Sequence, residues 1–444
     1  MESMPDVSCL PAGTARFTLH ASPWAWRLAI FLLPWQIRWF SNGPIIGGYP
    51  WEQGRIAIYL SWLPMLVVIG MAIYDRVVGA RSPRPSSGSA LPGREALPLR
   101  MIGIGIVLML IPSFFSLYPR ATFQFWSEVI ILGLFIWSLK AFRVPRSEIF
   151  TWFVISLIPH TLLALWQFHD QSVFGSKWLG VAAQNPLTQG VSVIEYAQER
   201  VLRAYGGFPH PNIFGGWLAM ALPTILLLVR EAKHQREKYF WMICGGLFSV
   251  ILILTFSRGA WTAAVIGLIF LFLSFPRRRE SKQPKIPAFA RMTNTSSAFL
   301  IILLSVGLTI WYVRPLILHR FDAGARLEQR SLNERAIGWD HGWHIFQTHQ
   351  LIGIGPGATG FALQSQLIPH HVPLLMLDEI GIVGMIGVLI IICSFRSNIL
   401  IRIREIEWVM VVFLVLSLFD HYPWSLWSGR ALVAFVIAYI ILQD

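Results

Sequence analysis

The segment from Pro211 to Val229 reads PNIFGGWLAMALPTILLLV and contains no charged residue. A transmembrane helix needs about 20 consecutive, predominantly apolar residues, because the hydrocarbon core of a bilayer is about 30 Å thick. Arg230 follows directly and marks the end of the apolar run. The segment therefore predicts a helix that crosses a membrane, and comparable runs recur along the whole chain.

The composition also indicates a membrane protein. Of the 444 residues, 55% are hydrophobic and 13% are charged, and the mean hydropathy is +0.57. Soluble domains carry about 25% charged residues, so this chain has too few charges to cover a soluble globular surface. The net charge of +13 could indicate binding to nucleic acid. However, the basic residues are spread over the loops between apolar runs, which the positive-inside rule explains better.

The apolar runs predict an all-α polytopic membrane protein with about twelve transmembrane helices, in a single integral membrane domain over residues 1–444. The predicted spans are 24–40, 56–74, 101–117, 122–139, 149–168, 213–229, 239–255, 260–275, 298–312, 374–393, 408–419 and 431–442. Pro34, Gln36 and Arg38 interrupt the first of them. An even number of spans places both termini on one side of the membrane.

The basic residues predict which side that is. Short loops rich in Lys and Arg face the cytoplasm. Such loops alternate regularly along the chain, at 76–100, 140–146, 230–238, 277–291 and 396–404. We therefore expect both termini to be cytoplasmic, together with two linkers at 75–100 and 275–297.

Two long loops then face the other side of the membrane. They cover residues 169–211 and 314–373, and loops well beyond about 15 residues usually carry function or are disordered. The second contains a helix-like run at 333–347, so we expect it to fold as a cap. Most of the histidines fall on this face, and His is the side chain best suited to proton transfer near neutral pH.

The first candidate motif is Arg203-Ala-Tyr-Gly-Gly-Phe-Pro-His-Pro-Asn212, which leads into the sixth predicted span. An arginine at the membrane surface can bind a phosphate through paired hydrogen bonds. The alternative is that Arg203 only extends towards lipid headgroups.

The second motif is Ser257-Arg258-Gly259, in a very short turn between the seventh and eighth spans. Arg258 has apolar runs on both sides, and a charge at that depth is costly unless it has a partner. It is therefore a functional candidate, with a turn anchored at the headgroups as the alternative.

The third motif joins Arg335-Ala-Ile-Gly-Trp339 to the glycine-rich run at 353–357. The run GIGPG lacks the strand–turn–helix frame of a dinucleotide site, and a structural turn explains it better than direct chemistry. The histidines at 341, 344 and 349 could suggest a metal site, but no HExxH motif or matching carboxylate accompanies them. We therefore predict no metal.

The fourth motif is His370-His-Val-Pro-Leu-Leu-Met-Leu-Asp-Glu379, just before and inside the tenth span. A helical rise of about 1.5 Å per residue separates its two ends by roughly two and a half turns. Glu379 is thus better placed to orient other groups than to contact His370. A solvated loop histidine is the alternative for His370.

These four motifs, in this order, resemble those of the O-antigen ligase superfamily, which also includes Wzy-type polymerases and bacterial protein O-oligosaccharyltransferases. The resemblance runs from about Arg203 to Gly384. The family usually has His-Asn where this chain has His370-His371, and the spacing to Glu379 selects His370 as the equivalent histidine.

The resemblance implies a metal-independent, cofactor-free, inverting glycosyltransferase of the bacterial inner membrane, with its active site facing the periplasm. The donor would be a glycan on a polyprenyl diphosphate, such as undecaprenyl diphosphate. The acceptor would be a hydroxyl, in the first place that of lipid A–core, so that the reaction belongs to lipopolysaccharide biosynthesis. His370 would be the catalytic base, and Arg203 and Arg258 would bind the diphosphate. The supporting candidates are Asn212, Arg335, His371 and Glu379.

Other functions remain open at this point. Polymerisation of the same lipid-linked repeats, or transfer to a protein hydroxyl, would use the same donor site. A transporter or flippase would place polar groups near the bilayer midplane, often in repeated halves. The chain shows few charges inside its spans and no clear internal repeat, which disfavours transport.

Overall fold

The computed structural model describes residues 23–79, 96–274, 288–322, 324–365, 367–394 and 396–442. The described chain is mostly helical. Its helices are α1 (Pro23–Leu32), α2 (Trp62–Gly79), α3 (Ala96–Leu110), α4 (Pro119–Ala141), α5 (Arg146–Asp170), α6 (Pro211–Glu231), α7 (Gln235–Leu254), α8 (Arg258–Ser274), α9 (Ala288–Tyr312), α10 (Arg314–Arg320), α11 (Arg326–Thr348), α12 (Thr359–Leu363), α13 (Val372–Ser394), α14 (Arg396–Phe419), α15 (Tyr422–Ser425) and α16 (Trp427–Ile441).

Short strands modify the purely α-helical prediction. The described residues form three two-stranded antiparallel sheets. The strands are β1 (Arg38–Phe40), β2 (Ile45–Ile46), β3 (Tyr49–Pro50), β4 (Ala57–Tyr59), β5 (Val193–Tyr196) and β6 (Glu199–Leu202), paired β1–β4, β2–β3 and β5–β6. All of them lie outside the helices, in the connections that precede α2 and α6.

Six described helices have the length and apolar composition to cross a membrane: Pro119–Ala141, Arg146–Asp170, Pro211–Glu231, Gln235–Leu254, Thr295–Tyr312 and Val372–Ser394. Four shorter apolar helices accompany them, at Arg100–Phe115, Arg258–Ser274, Trp408–Phe419 and Trp427–Ile441. Together they coincide with the predicted spans from 101–117 onwards. The architecture is consistent with a polytopic membrane protein, and the total of twelve spans stays a prediction.

The first two predicted spans need correction. Helix α1 ends at Leu32 rather than continuing to residue 40, because Pro34 has no backbone N–H and restricts the residue before it. The chain then forms β1, which pairs with β4 so that Arg38 lies opposite Tyr59. The second predicted span therefore begins as a strand, and its helix starts only at Trp62.

Helix α6 lies at the centre of the bundle, since 89% of its apolar window is buried. It packs against α5, α7, α8, α9 and α14. Gly215 and Gly216 permit this packing: a Cβ on Gly215 would lie 2.9 Å from the Cβ of Ala260, and one on Gly216 would overlap the hydroxyl of Tyr422. Helix α9 is not buried in this way. Its residues Leu304 and Leu308 are exposed and so are available to lipid.

The second long loop folds as a cap made of α10, α11 and α12. The glycine-rich run at 353–357 fastens this cap to α13, whose helical geometry breaks at Gly381 (φ 60°). The N–H of Ile354 donates to the carbonyl of Asp378, and the N–H of Gly355 donates to that of Glu379, both at 2.9 Å. These contacts support the structural interpretation of GIGPG.

The predicted linkers are shorter than expected. Helix α2 runs to Gly79 and α3 begins at Ala96, while α9 begins at Ala288. Both ends of the 75–100 segment and the last part of the 275–297 segment are therefore helical. Residues 80–95 and 275–287 lie outside the described residues.

Candidate functional site

Four arginines from four different elements lie within electrostatic range of one another. Arg203 follows β6, Arg258 begins α8, Arg320 ends α10 and Arg335 lies in α11. The charges of Arg258 and Arg335 act on both Arg203 and Arg320, and Arg203 also acts on Arg320. We call these four residues the arginine cluster. It gathers positive charge where the first loop, the α7–α8 turn and the cap meet.

Arg203 is buried and held in place by its neighbours. Its Nε donates to the carbonyl oxygen of Thr255 at 2.7 Å, and its Nη2 donates to Oδ1 of Asn212 at 2.6 Å. Burial lowers the pKa of Arg203 to about 10, which still leaves the guanidinium charged near neutral pH. These contacts hold the guanidinium of Arg203 in place, so the side chain does not extend freely towards lipid headgroups.

One buried carboxylate partly balances the cluster. Oε2 of Glu328 lies 2.8 Å from Nη2 of Arg258, and Oε1 of Glu328 pairs with Nη1 of Arg320. Burial and the charges of the neighbouring arginines lower the pKa of Arg320. Within the described part of the chain, the side chain of Arg335, in α11, forms no hydrogen bond or ion pair. The cluster therefore has more cations than anions, which suits an anionic ligand.

His370 stands beside Asp420, just before α13. Its Nδ1 lies 3.4 Å from Oδ1 of Asp420, and its ring centroid is 4.8 Å from that of His421. Burial alone would raise the pKa of Asp420, but the contact with His370 and the charges of His421 and His210 bring it well below its usual value. Asp420 is thus an anion next to His370.

A chain of polar contacts connects His370 to the arginine cluster. Oδ2 of Asp420 accepts a hydrogen bond from Nδ2 of Asn212 at 3.0 Å. Asn212 in turn accepts one from Arg203 at 2.6 Å. The order His370–Asp420–Asn212–Arg203 brings together three residues that were singled out in the sequence, through a fourth that was not.

The two adjacent histidines have different surroundings. Nδ1 of His371 accepts a hydrogen bond from the N–H of Leu374 at 3.2 Å, in the first turn of α13. The ring of His371 also packs against Trp339 at 4.9 Å. Because His371 is occupied in this way, the geometry favours His370 as the reactive histidine.

Glu379 does not contact His370, as its helical spacing predicted. Oε1 of Glu379 accepts a hydrogen bond from the hydroxyl of Thr359 at 2.9 Å, and Oε2 accepts one from Nε1 of Trp424 at 2.6 Å. The carboxylate therefore joins α13 to α12 and α15. Its contacts are those of a residue that positions neighbouring elements.

Asp420, His421 and Arg320 were not among the site residues predicted from the sequence. Asp420 and His421 form a polar pair between the predicted spans 408–419 and 431–442, and that position was a usable signal. Arg320 carries no such signal, because it lies among many polar residues of a long loop. Only the fold brings it to Glu328.

Among the described residues, one group of side chains could hold a metal ion. The candidate ligand atoms of His370, Asp420 and His421 lie within 4.8 Å of one another. Two of these residues already have other partners, since Asp420 accepts from Asn212 and Nδ1 of His421 lies 2.6 Å from the hydroxyl of Ser425. These contacts compete with metal coordination, so we retain the prediction of a metal-free site.

Comparison with known proteins finds a match to a family model over part of the chain. A sequence model described as O-antigen ligase matches residues 243–389, which include Arg258, Arg335, His370 and Glu379. The match supports the resemblance to the O-antigen ligase superfamily. Arg203, Asn212 and Asp420 lie outside the matched range. None of the curated proteins matches the chain.

Proposed function

We propose that this chain, whose residues 243–389 match the O-antigen ligase family, is a glycan ligase of the bacterial inner membrane. It would transfer a glycan from a polyprenyl diphosphate to an acceptor hydroxyl, that of lipid A–core, at the periplasmic face. The observation that carries the proposal is the chain of contacts from His370 through Asp420 and Asn212 to Arg203. This chain of contacts supports a site that combines a proton acceptor with a group of cations.

The arginine cluster would bind the diphosphate of the donor. As the bond between the anomeric carbon and the phosphate oxygen breaks, negative charge develops on the leaving diphosphate. Fixed cations in a poorly solvated site stabilise such charge strongly. Arg203 and Arg335 are suited to this role because one is rigidly held and the other is unpaired among the described residues, while Glu328 keeps Arg258 and Arg320 in place.

His370 would act as the base. Its Nδ1 faces Asp420, which leaves Nε2 to accept the proton of the acceptor hydroxyl. The hydroxyl oxygen then forms its bond to the anomeric carbon on the face opposite the leaving group, and the configuration inverts. Asp420 stabilises the imidazolium that results and holds the ring in orientation, in the way that a carboxylate supports a catalytic histidine elsewhere.

Polymerisation and protein glycosylation would use the same donor chemistry and differ in the acceptor. The product therefore distinguishes them.

Because side-chain cations and a histidine supply the chemistry, we expect transfer to persist after dialysis against EDTA. Loss of activity that is restored by added metal would instead favour a metal at His370, Asp420 and His421.

The direct test is complementation of a Gram-negative strain that lacks its ligase and contains the donor glycan. We expect the chain to restore glycan on lipid A–core, and His370→Ala and Arg203→Gln to abolish it at matched membrane abundance. His371→Asn is the matched control and should remain active, since Asn can also cap α13. Persistent lipid-linked glycan with no product from the unaltered chain would contradict ligation.

A further inference from the structure

A polar cavity lies close to the proposed site. It has a volume of about 140 Å³ and lies between the β1–β4 region, α4 and the α15–α16 corner. Its lining includes Glu52, Arg55, Tyr59, Trp424 and Trp427. None of the described residues that line it belongs to the arginine cluster, but Glu379 does line it.

The cavity connects to His370 through two residues. Ser425 lines the cavity, and its hydroxyl lies 2.6 Å from Nδ1 of His421. The ring of His421 then contacts that of His370, with centroids 4.8 Å apart. His370 is therefore linked through Asp420 and Asn212 to Arg203 of the arginine cluster, and through His421 and Ser425 to this cavity.

The lining offers hydrogen-bonding groups that the described chain does not use. Nε1 of Trp427 has no partner although the residue is only 1% exposed, and Nε of Arg55 is also buried without a partner. A buried donor without an acceptor costs about 1–3 kcal/mol, so an acceptor that reaches these atoms would be stabilised. Glu52, which pairs with Arg38, adds an acceptor at the cavity wall.

Aromatic rings form the rest of the wall. Tyr59 and Trp427 stack with centroids 4.8 Å apart and planes inclined by 20°, so each ring covers one face of the other, and Trp424 also lies in the lining. Apolar rings beside hydrogen-bonding groups fit a sugar, which has apolar C–H faces and hydroxyl edges. They do not fit a lipid tail, which would leave Glu52 and Arg55 unsatisfied.

The size of the cavity fits a single ring. An apolar cavity of about 150 Å³ holds one benzene molecule, so about 140 Å³ accommodates one six-membered ring. The lining also includes Phe40 and Pro50, which are exposed. The cavity therefore reaches the surface, and substituents of the ring or further sugars can extend outwards there.

We propose that this cavity binds one pyranose ring of the glycan acceptor and directs a hydroxyl towards His370. The proposal rests on the function proposed above, since it assigns the acceptor side of that reaction. Glu52, Arg55 and Trp427 would determine which sugar is accepted. Discrimination by such groups is strong, because a hydroxyl that is absent or reversed leaves them unpaired.

Binding can be measured without any transfer reaction. The full-length protein in detergent is mixed with methyl glucoside, methyl galactoside, methyl N-acetylglucosaminide and a methyl heptoside, and saturation-transfer NMR reports contact. We expect at least one pyranoside to bind. Glu52→Gln and Trp427→Phe should weaken it about tenfold, since each loses a hydrogen bond to the sugar. Trp427→Phe keeps an aromatic ring in place, and unchanged thermal midpoints would show that both variants fold.

Two controls separate this proposal from the function on which it rests. Arg236→Gln, in the exposed start of α7, should leave sugar binding unchanged. Arg203→Gln should lose binding of inorganic pyrophosphate yet keep the sugar. The proposal is overturned if no pyranoside binds, or if binding survives in both lining variants. Sugar binding in a protein that transfers no glycan would overturn the ligase function while leaving the cavity assignment intact.

Discussion

Asp420 occupies the position between the proposed base and the proposed phosphate ligands. One of its oxygens faces His370 and the other accepts from Asn212, which holds Arg203. The residue also accepts from the backbone N–H of His421 at 2.8 Å. A single carboxylate thus fixes the orientation of two functional side chains.

Replacing Asp420 tests this arrangement. Asp420→Asn keeps the size of the side chain but removes its charge, so the imidazolium of His370 loses its counter-ion. We expect the rate of transfer to fall by about 10² or more, with donor affinity less affected. Steady-state kinetics with purified protein would show this as a loss of kcat. An unchanged kcat would show that Asp420 does not assist His370.

His421 should make the fold sensitive to acid. Burial, followed by the charge of His370, lowers the pKa of His421 to about 4, whereas an unfolded histidine titrates at about 6.5. Between these values the unfolded state binds a proton that the folded state does not. Stability is therefore lost as pH falls through this window, by about 2 kcal/mol between pH 6.5 and 5.

The measurement is the thermal midpoint from pH 7.5 to pH 5, for the unaltered chain and for His421→Gln. The variant cannot gain the proton, so its midpoint should fall less on acidification. Parallel curves for the two proteins would show that His421 does not contribute. His210 contributes in the same direction, since burial lowers its pKa to about 3.

The sequence predicted some residues of the candidate site and missed others. The order of motifs identified Arg203, Asn212, Arg258 and His370 because each belongs to a recognisable local pattern. Asp420 is marked only by its polar position between two apolar runs, and Arg320 has no signal of its own, so tertiary packing alone shows that both reach the site. The spacing to Glu379 favoured His370 over His371 in the sequence, and the structure adds that His371 caps α13 and contacts Trp339.

At the scale of elements, the break in α13 is the feature that joins the cap to the helical bundle. Gly381 adopts φ 60° and Gly353 adopts φ 73°, and the two segments lie against each other. A Cβ on Gly353 would lie 2.6 Å from the carbonyl carbon of Glu379. Neither backbone can move without displacing the helix that carries His370 at its start.

Gly353→Ala should therefore destabilise the protein. The left-handed conformation costs an alanine about 1–2 kcal/mol, and the contact with the backbone of Glu379 adds to this. We expect a lower thermal midpoint and reduced abundance in the membrane. Gly307→Ala is the matched control, because a Cβ there meets nothing within 4 Å and α9 has ordinary helical geometry. Equal midpoints for the two variants would contradict this role of the glycine-rich run.

The helices were more predictable than the segments that join them. Apolar runs locate α4 to α8 to within a few residues, since long hydrophobic stretches have few alternatives to a helix in a membrane. The β1–β4 pairing was not predicted, because three-residue strands carry no periodic signal. That pairing forms part of the wall of the proposed sugar cavity.

At the scale of the whole molecule, the distribution of charge predicts the orientation in the membrane. Lys177 lies in the first long loop and His234 lies between α6 and α7, and both are exposed. The positive-inside rule places Lys177 outside and His234 in the cytoplasm. The arginine cluster would then face the periplasm, where a glycan on an outer-leaflet carrier is accessible.

Cysteine labelling tests this orientation. In a background with the three native cysteines replaced by alanine, Lys177→Cys should react with a membrane-impermeant maleimide in intact spheroplasts. His234→Cys should react only after the membrane is permeabilised. The reverse pattern would place the site in the cytoplasm and exclude a periplasmic acceptor.

The proposed site combines a diphosphate-binding arginine with a histidine base. The most direct measurement compares donor binding and single-turnover transfer for purified His370→Ala and Arg203→Gln, with a polyprenyl-diphosphate glycan as donor and lipid A–core as acceptor. We predict that His370→Ala binds the donor normally but does not transfer it, whereas Arg203→Gln binds it weakly. Transfer by His370→Ala at the rate of the unaltered chain, or normal donor binding by Arg203→Gln, would contradict the account.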